Sequence, residues 1–276
     1  MIIDQHTALY GVIGNPVRHS LSPILHNAAF SATSLNAVYL AFETGDIEEC
    51  IKGIRALGIK GASITIPFKT TVMPFLDEID PLAKRIGAVN TIVNDSGRLK
   101  GYNTDALGAL KALEENVKLA GMTCLIIGAG GAARAIGFML KEQDVAVSIV
   151  NRSRKRGEAL AASLGCPFVP LDEISGIKGG LLVQTTSVGM YPDIDQCPVP
   201  ENILENGMVV MDIVYLPAET RLLNLARDRG CVIISGVDMF INQGAEQFRL
   251  WTDLDPPFAS MRHALKEAML DQDERN

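Results

Sequence analysis

The chain has 276 residues, 47% of them hydrophobic, 21% charged and only 5% aromatic. That length suits one large or two modest domains, and the ample apolar fraction excludes a globally disordered chain. A net charge of −7 argues against general nucleic-acid affinity, and no apolar run approaches the ~18 residues that a membrane-spanning helix needs. In chain order, Tyr10 to Gly14 reads as a short apolar strand ending before Pro16. Ser22-Pro23 opens a helix over Pro23 to Ser31, with Ser22 as N-cap and proline at the first helical position. Val38 to Phe42 reads as a strand. Ile47, Ile51, Ile54 and Leu57 then recur at helical spacing until Gly58. Gly61 to Ile66 is a β-branched strand stopped by Pro67, and Val89 to Val93 pairs with Arg98 to Tyr102 across Asp95-Ser96-Gly97 as a hairpin.

After Asp105 the pattern changes. A helix from Ala106 to about Asn116 leads to a buried strand over Met122 to Ile127, a glycine-rich turn, a helix through about Lys141 and a strand over Val145 to Val150. Further strands are expected at Leu181 to Gln184, Val209 to Val214 and Val232 to Ile234. From Met239 the pattern is helical, broken at Asp255-Pro256-Pro257. Such alternation predicts an α/β fold with parallel strands covered by helices on both faces. The expected layout is two domains, residues 1–105 plus 240–276 and residues 106–239.

The start, Met1-Ile2-Ile3-Asp4-Gln5-His6, lacks a basic segment and carries an acid, so it does not read as a signal peptide. The five cysteines are odd in number and free of Cys-x-x-Cys spacing. They fit reduced thiols in a cytoplasm rather than a disulfide framework, and with four scattered histidines they give no metal site.

Gly128-Ala129-Gly130-Gly131-Ala132-Ala133 is G-x-G-x-x-A between a strand and a helix. Glycine serves where the backbone turns tightly or must approach a pyrophosphate, and the helix that follows offers unpaired N–H groups to the phosphates. A tight strand–helix turn without a ligand is the alternative. Dinucleotide folds that hold the ribose 2′-hydroxyl place an acid about 20 residues further on. Here the next strand runs instead into Asn151-Arg152-Ser153-Arg154-Lys155-Arg156, without an acid. Arginines grip a 2′-phosphate that a carboxylate would repel, so the expected cofactor is NADP(H). A solvated basic helix start is the bland alternative.

Polar residues gather where the N-terminal strands end: Ser20 and Ser22, Ser63, Thr65 and Lys69, Asn90, then Asn103, Thr104 and Asp105. Singly, each has a structural reading. Ser22, Thr104 or Asp105 caps a helix, Lys69 is a solvated loop lysine, and Asn90 is a turn residue.

As a series they read differently. The stretch from Tyr10-Gly11-Val12-Ile13-Gly14-Asn15-Pro16 through Arg18-His19-Ser20-Leu21-Ser22-Pro23, with His26-Asn27, closely resembles the opening of shikimate dehydrogenases. The resemblance continues in order through Ile64-Thr65-Ile66-Pro67-Phe68-Lys69, Gly87-Ala88-Val89-Asn90-Thr91 and Gly101-Tyr102-Asn103-Thr104-Asp105. It then takes in the glycine-rich turn, Asn151-Arg152-Ser153, Thr186-Ser187-x-Gly189-Met190 and Asp238-Met239-Phe240-x-x-Gln243-Gly244, and ends near Trp251.

It implies a substrate domain followed by a Rossmann-type doubly wound parallel sheet. The implied reaction is reversible reduction of 3-dehydroshikimate to shikimate with NADPH, in aromatic amino-acid biosynthesis. Lys69 and Asp105 would be the catalytic pair: hydride arriving at a carbonyl leaves an alkoxide that needs a donor and a cation, and a carboxylate can hold the ammonium in place. By the same resemblance Ser20 and Ser22 hold the substrate carboxylate with Tyr215 close by, and Thr65, Asn90, Asp105 and Gln243 address the ring hydroxyls. The cofactor falls to Gly128, Ala129, Gly130, Gly131, Ala132 and Ala133, then Asn151, Arg152, Ser153 and Arg156. Thr186, Val188, Gly236 and Met239 lie on its nicotinamide side. No metal is implied, and a homodimer is left open.

Three positions depart from the family pattern: Ser63 and Gln184 where asparagine is usual, and Arg221 where proline often follows the threonine. Serine cannot present both an amide donor and a carbonyl acceptor. Two alternatives stand beside the leading one. A quinate or dual quinate/shikimate dehydrogenase would need more room near the two serines, and a non-catalytic NADP(H)-responsive binding protein would have no use for the Lys69–Asp105 pair.

Overall fold

The structure, a computed structural model, describes residues 3–176 and 179–273. Met1 and Ile2, and the last three residues of the tail expected in the substrate domain, lie outside the described residues. The chain forms two compact units, one from the residues up to Thr104 together with those from Gln243 onward, the other from Asp105–Asn242.

The first stretch contains β1 (Ala8–Gly14), α1 (Ser22–Ala32), β2 (Ala37–Glu43), α2 (Ile47–Leu57), β3 (Gly61–Ile64), β4 (Glu78–Ile79), α3 (Pro81–Ile86), β5 (Thr91–Asp95) and β6 (Arg98–Tyr102). α4 (Thr104–Glu114) leads into β7 (Thr123–Ile127), α5 (Gly131–Glu142), β8 (Ala146–Asn151), α6 (Arg154–Leu164), β9 (Phe168–Pro170), β10 (Leu181–Gln184), β11 (Val209–Asp212), α7 (Arg221–Asp228) and β12 (Val232–Ile234). α8 (Gly236–Thr252) and α9 (Phe258–Asp273) complete the chain.

The first sheet has the order β2-β1-β3-β5-β6-β4 and is mixed: β1 runs parallel to β2 and β3, whereas β5 is antiparallel to both β3 and β6. The expectation of parallel strands holds for β1 with β2 and β3, and the expected hairpin supplies the antiparallel pair, because a two-residue turn cannot return a chain in the same direction. Ser96 and Gly97 make that turn, both at positive φ, and such turns match the twist of the flanking strands. α2 forms as expected. Asp46 accepts from the Glu49 amide at 3.1 Å, Ile47, Ile51 and Ile54 are buried, and Gly58 closes the helix at φ 65°. α1 corrects the reading of Ser22 as a cap: Leu21 holds the N-cap position, and Ser22 is already helical with its hydroxyl turned to other work.

The second sheet is wholly parallel, in the order β12-β11-β10-β7-β8-β9. Counted within this unit that is the 3-2-1-4-5-6 arrangement of dinucleotide-binding folds. Alternate residues of each strand enter opposite cores, as the period of two requires. Cys124, Ile126, Val147, Ile149, Leu181 and Val183 pack with Ile136 and Leu140 of α5, while Leu125, Ile127, Val150, Leu182 and Val210 pack with Leu222, Leu223 and Ala226 of α7. β11 stops two residues earlier than expected because the Asp212 carboxylate accepts the Val214 amide at 3.0 Å and turns the chain. β4, α3 and β9 carry too few residues to show a period and escape the sequence pattern. No described helix is long and apolar enough to cross a membrane.

Candidate active site

In the parallel sheet the strand order reverses between β7 and β10, and ligands of such sheets sit outside the carboxyl ends of the strands at that point. Gly128 leaves β7 at φ 120°, and a Cβ there would collide with Thr185 Oγ1. Thr185 cannot yield easily, since its amide and hydroxyl both donate to the Ile127 carbonyl, at 2.9 and 2.7 Å. Gly130 is different. It sits at the N-cap of α5 at an ordinary φ of −95°, and a Cβ would meet nothing within 4 Å. Open space beside backbone amides that have no intrahelical acceptor is what a pyrophosphate requires. Ala129, Gly131 and Ala132 are half-buried around it, and the fully buried Ala133 lets α5 lie close on the sheet. The residues present fit a dinucleotide.

At the end of β8, Asn151 donates to the Ser153 carbonyl at 2.8 Å and so shapes the start of α6, where Ser153 is the N-cap without a side-chain capping bond. Arg154 is occupied by Glu158 at 3.9 Å and Glu173 at 3.4 Å. Arg152 and Arg156 are exposed and have no ion-pair partner among the described residues. Two guanidiniums are thus at hand for an anion, with no acid at the strand end.

After β10, the fully buried Gln184 folds the loop that carries Thr186 and Val188. Its nitrogen donates to Thr186 Oγ1 at 2.8 Å and to the Val188 carbonyl at 3.2 Å, and its oxygen accepts the Thr186 amide at 3.0 Å. The longer glutamine at this position is a local staple. Gly236 admits the backbone of β11's exit, where a Cβ would lie 2.5 Å from the Val214 carbonyl oxygen. Met239 is 6% exposed within the apolar core of this unit, so packing accounts for it. Tyr215 stacks on Phe240 with ring centroids 4.5 Å apart, and desolvation pushes its phenol up to about 12. Its loop is held by Asp212, which also accepts from Thr220 Oγ1 at 2.7 Å; Thr220 in turn caps α7. Arg221 is the exposed first residue of α7, the one helical position where proline and other residues exchange readily.

In the other unit, one connected polar cluster takes in several of the expected residues. Ser20 Oγ donates to Ser22 Oγ at 3.1 Å and accepts the Ser22 amide at 3.2 Å. Thr65 and Lys69 are half-buried on the loop leaving β3, where the Thr65 amide donates to Ile13 and the Lys69 carbonyl accepts the Val89 amide at 2.7 Å. The next residue, Asn90, is 2% exposed. Its Oδ1 accepts from the Thr104 amide at 2.7 Å and from Thr91 Oγ1 at 2.9 Å, and its Nδ2 donates to Thr104 Oγ1 at 3.0 Å. A backbone amide can only donate, so the Asn90 side chain has one orientation. Asp105 follows Thr104 on the first turn of α4 and belongs to the parallel-sheet unit. Gln243 is buried on α8.

Sequence reasoning assigned no role to Gln247, His26, Tyr39 or Thr91 in this cluster. Gln247 stands one helical turn beyond Gln243 among the buried Ile241, Ala245 and Phe248, and a polar residue on a buried helical face was the available signal. Ser63, the departure from asparagine, is 6% exposed and its hydroxyl is committed inside the protein, between Tyr39 Oη at 2.6 Å and Gln247 Oε1 at 2.9 Å.

His26 lies fully buried, stacked on Tyr39 with centroids 4.5 Å apart, and desolvation lowers its pKa to about 4. Its Nε2 faces Gln247 Oε1 at 3.1 Å and its Nδ1 has no partner among the described residues. Below the unfolded pKa of 6.5 the unfolded state binds the proton first, so stability falls as pH drops toward 4. Between about pH 7.5 and about pH 5 this group alone removes about 2 kcal/mol. Asp212, raised to about 7 by desolvation, acts in the opposite sense, because the folded state gains its proton first as pH falls. Urea unfolding of parent and His26→Phe at both pH values isolates the histidine. The variant is expected to lose about 2 kcal/mol less on acidification, and equal losses contradict the assignment.

Residues 12–92 match the shikimate dehydrogenase substrate binding domain, residues 109–187 the shikimate / quinate 5-dehydrogenase family, and residues 236–266 the shikimate 5'-dehydrogenase C-terminal domain. A shikimate dehydrogenase (NADP(+)) of Moorella thermoacetica is 45% identical, with 97% of this chain and 95% of that protein covered. A crystal structure of a shikimate dehydrogenase in complex with NADP+ superposes with a TM-score of 0.92 at 41% identity, covering 97% of this chain and 98% of that one. Shikimate 5-dehydrogenase from Thermus thermophilus, in complex with NADP(H) and shikimate, gives 0.88 at 38% identity, covering 95% and 100%. With its motifs in the same order and its two units of the same architecture, the chain belongs to the shikimate dehydrogenase family.

Proposed function

We propose that this protein is an NADP-dependent shikimate dehydrogenase, interconverting 3-dehydroshikimate and shikimate in aromatic amino-acid biosynthesis. The observation that carries most weight is the state of Asn90. Two donors saturate its Oδ1, and of the two hydrogens on Nδ2 only one is given to a described residue, Thr104. The other is a fixed donor for a ligand rich in hydroxyls, and short polar side chains of this kind suit such a ligand better than an apolar pocket. Chain connectivity supports the rest. Lys69 bonds through its carbonyl to the residue before Asn90, and Asp105 follows the residue whose amide Asn90 accepts.

Bound NADPH supplies the hydride that reduces the ketone. Lys69 Nζ stabilises the developing alkoxide and gives it a proton, and takes the hydroxyl proton in the reverse direction. The Asp105 carboxylate orients that ammonium by a charge-assisted hydrogen bond. Ser20, by donating to Ser22, leaves the Ser22 hydroxyl hydrogen for the substrate carboxylate, with Tyr215 assisting. Thr65 and Gln243 hold ring hydroxyls. The backbone around Gly130 takes the pyrophosphate, Arg152 and Arg156 take the 2′-phosphate, and Asn151 and Ser153 shape the loop between them. Thr186, Val188 and Gly236 border the nicotinamide.

Replacing Gly130 separates binding from folding. A Cβ at Gly130 meets no atom within 4 Å and φ is an ordinary −95°, so Gly130→Val is expected to move Tm by no more than about 4 °C, while NADP affinity falls at least about tenfold. Titration of the cofactor beside a thermal melt checks both; unchanged affinity contradicts the cradle. Substrate choice is tested by comparing shikimate with quinate, each with NADP and with NAD. The pair shikimate and NADP is expected to give the highest kcat/KM, and faster turnover of quinate with NAD would overturn the assignment. The described cysteines are all free thiols, in keeping with a cytoplasmic location. A homodimer is compatible with this function, and sedimentation decides it.

A further inference from the structure

Gln247 is 1% exposed, yet its amide meets four residues in three segments far apart in the chain. Its Nε2 donates to Thr91 Oγ1 at 3.0 Å and to the Asn90 carbonyl at 3.4 Å, and its Oε1 faces Ser63 Oγ at 2.9 Å and His26 Nε2 at 3.1 Å. The amide orientation is determined: a carbonyl only accepts, so the atom facing Asn90 is the nitrogen. The shortest contacts then give the other groups their roles. Thr91 accepts from Gln247, and the shortest acceptor for its single hydrogen is Asn90 Oδ1 at 2.9 Å, with Thr104 Oγ1 next at 3.1 Å. Ser63 accepts from Tyr39 Oη at 2.6 Å and spends its hydrogen on Gln247 Oε1. Burial pushes the Tyr39 phenol up, which keeps it a donor at the head of this series. The donors therefore run in one direction, from Tyr39 through Ser63, Gln247 and Thr91 to Asn90.

We infer that Gln247 is a positioning residue for Asn90. It orders a one-way chain of hydrogen-bond donors that saturates Asn90 Oδ1 and so presents Nδ2 to the substrate. Gln247 touches no reacting atom. An amide suits this point because one end accepts from Ser63 while the other donates to Thr91 and Asn90. The inference rests on the proposed function solely in taking the ligand of Asn90 to be shikimate.

The test uses Gln247→Ala, Gln247→Met and the double variant Gln247→Ala with Ser63→Asn. Asparagine at 63 carries an amide on β3 that can enter the space vacated on α8. Gln247→Ala is expected to raise KM for shikimate roughly tenfold, leave KM for NADP within about twofold, and be restored to within about threefold of parent in the double variant. Gln247→Met keeps the volume but lacks the donor, so it is expected to show the same split if the alanine variant is too unstable to assay. A second readout needs no substrate. The Thr104 amide bonded to Asn90 Oδ1 should lose roughly tenfold of its protection against hydrogen exchange in Gln247→Ala and regain it in the double variant. Unchanged shikimate KM and unchanged Thr104 protection in a folded variant would overturn the inference, as would a loss that Ser63→Asn does not restore. A parent chain inactive on shikimate would sink the functional proposal instead, and the exchange measurement would still decide the positioning role.

Discussion

Lys69→Ala is expected to lower kcat for 3-dehydroshikimate reduction by about 10²- to 10⁴-fold, the usual contribution of a positioned proton donor, with NADP affinity within about threefold of parent. The split follows from the role proposed for the residue. Lys69 is half-buried on the loop between β3 and β4, in the unit of the Asn90 cluster, while the glycine-rich turn and the free arginines belong to the parallel sheet. Removing an interaction made only in the transition state lowers kcat and kcat/KM together. Asp105→Asn keeps the shape but loses the charge, and is expected to fall in the same direction by a smaller factor. Near-parental turnover by Lys69→Ala would remove the proton-transfer role, and a loss confined to NADP affinity would move the lysine to the cofactor.

Replacing Arg152 and Arg156 together by alanine is expected to weaken NADP about a hundredfold and NAD less than about threefold. Both guanidiniums are exposed, so screening reduces what each contributes and the NADP preference should shrink in high salt even in the parent. Arg154 serves as the internal control. It is held by Glu158 and Glu173, and its removal should leave the NADP to NAD ratio close to parent. Equal losses for the two cofactors would refute the 2′-phosphate role and leave the basic stretch as a solvated helix start.

The parallel-sheet unit was legible from sequence because its signals are local. A buried strand, a glycine turn and a helix follow one another within about a score of residues, and the order of motifs reproduces the order of elements. The first unit was less so. Its mixed sheet depends on where the β5–β6 hairpin inserts, next to β3, and nothing in the hairpin's own residues specifies that neighbour. The site followed the same division. Ser20, Ser22, Lys69 and Asn90 lie in short conspicuous stretches, whereas the cluster joining Tyr39, Ser63, Thr91 and Gln247 is assembled from four elements spread across the unit. Ser63 shows the consequence. Read alone it is a shortened asparagine and a lost ligand contact, but its hydroxyl is fully employed between Tyr39 and Gln247. Ser22 shows the converse: a residue with a good capping profile leaves the cap position to Leu21 and turns its hydroxyl toward Ser20.

The proposed chemistry has a lysine, an acid and a set of short polar side chains on this fold reduce a ring ketone at the expense of NADPH. Mixing the purified protein with NADPH and 3-dehydroshikimate and following the loss of NADPH absorbance decides whether it occurs. Oxidation of one NADPH for each shikimate formed, abolished in Lys69→Ala, is the expected result. NADPH that binds but is consumed no faster with 3-dehydroshikimate than without it would contradict that chemistry.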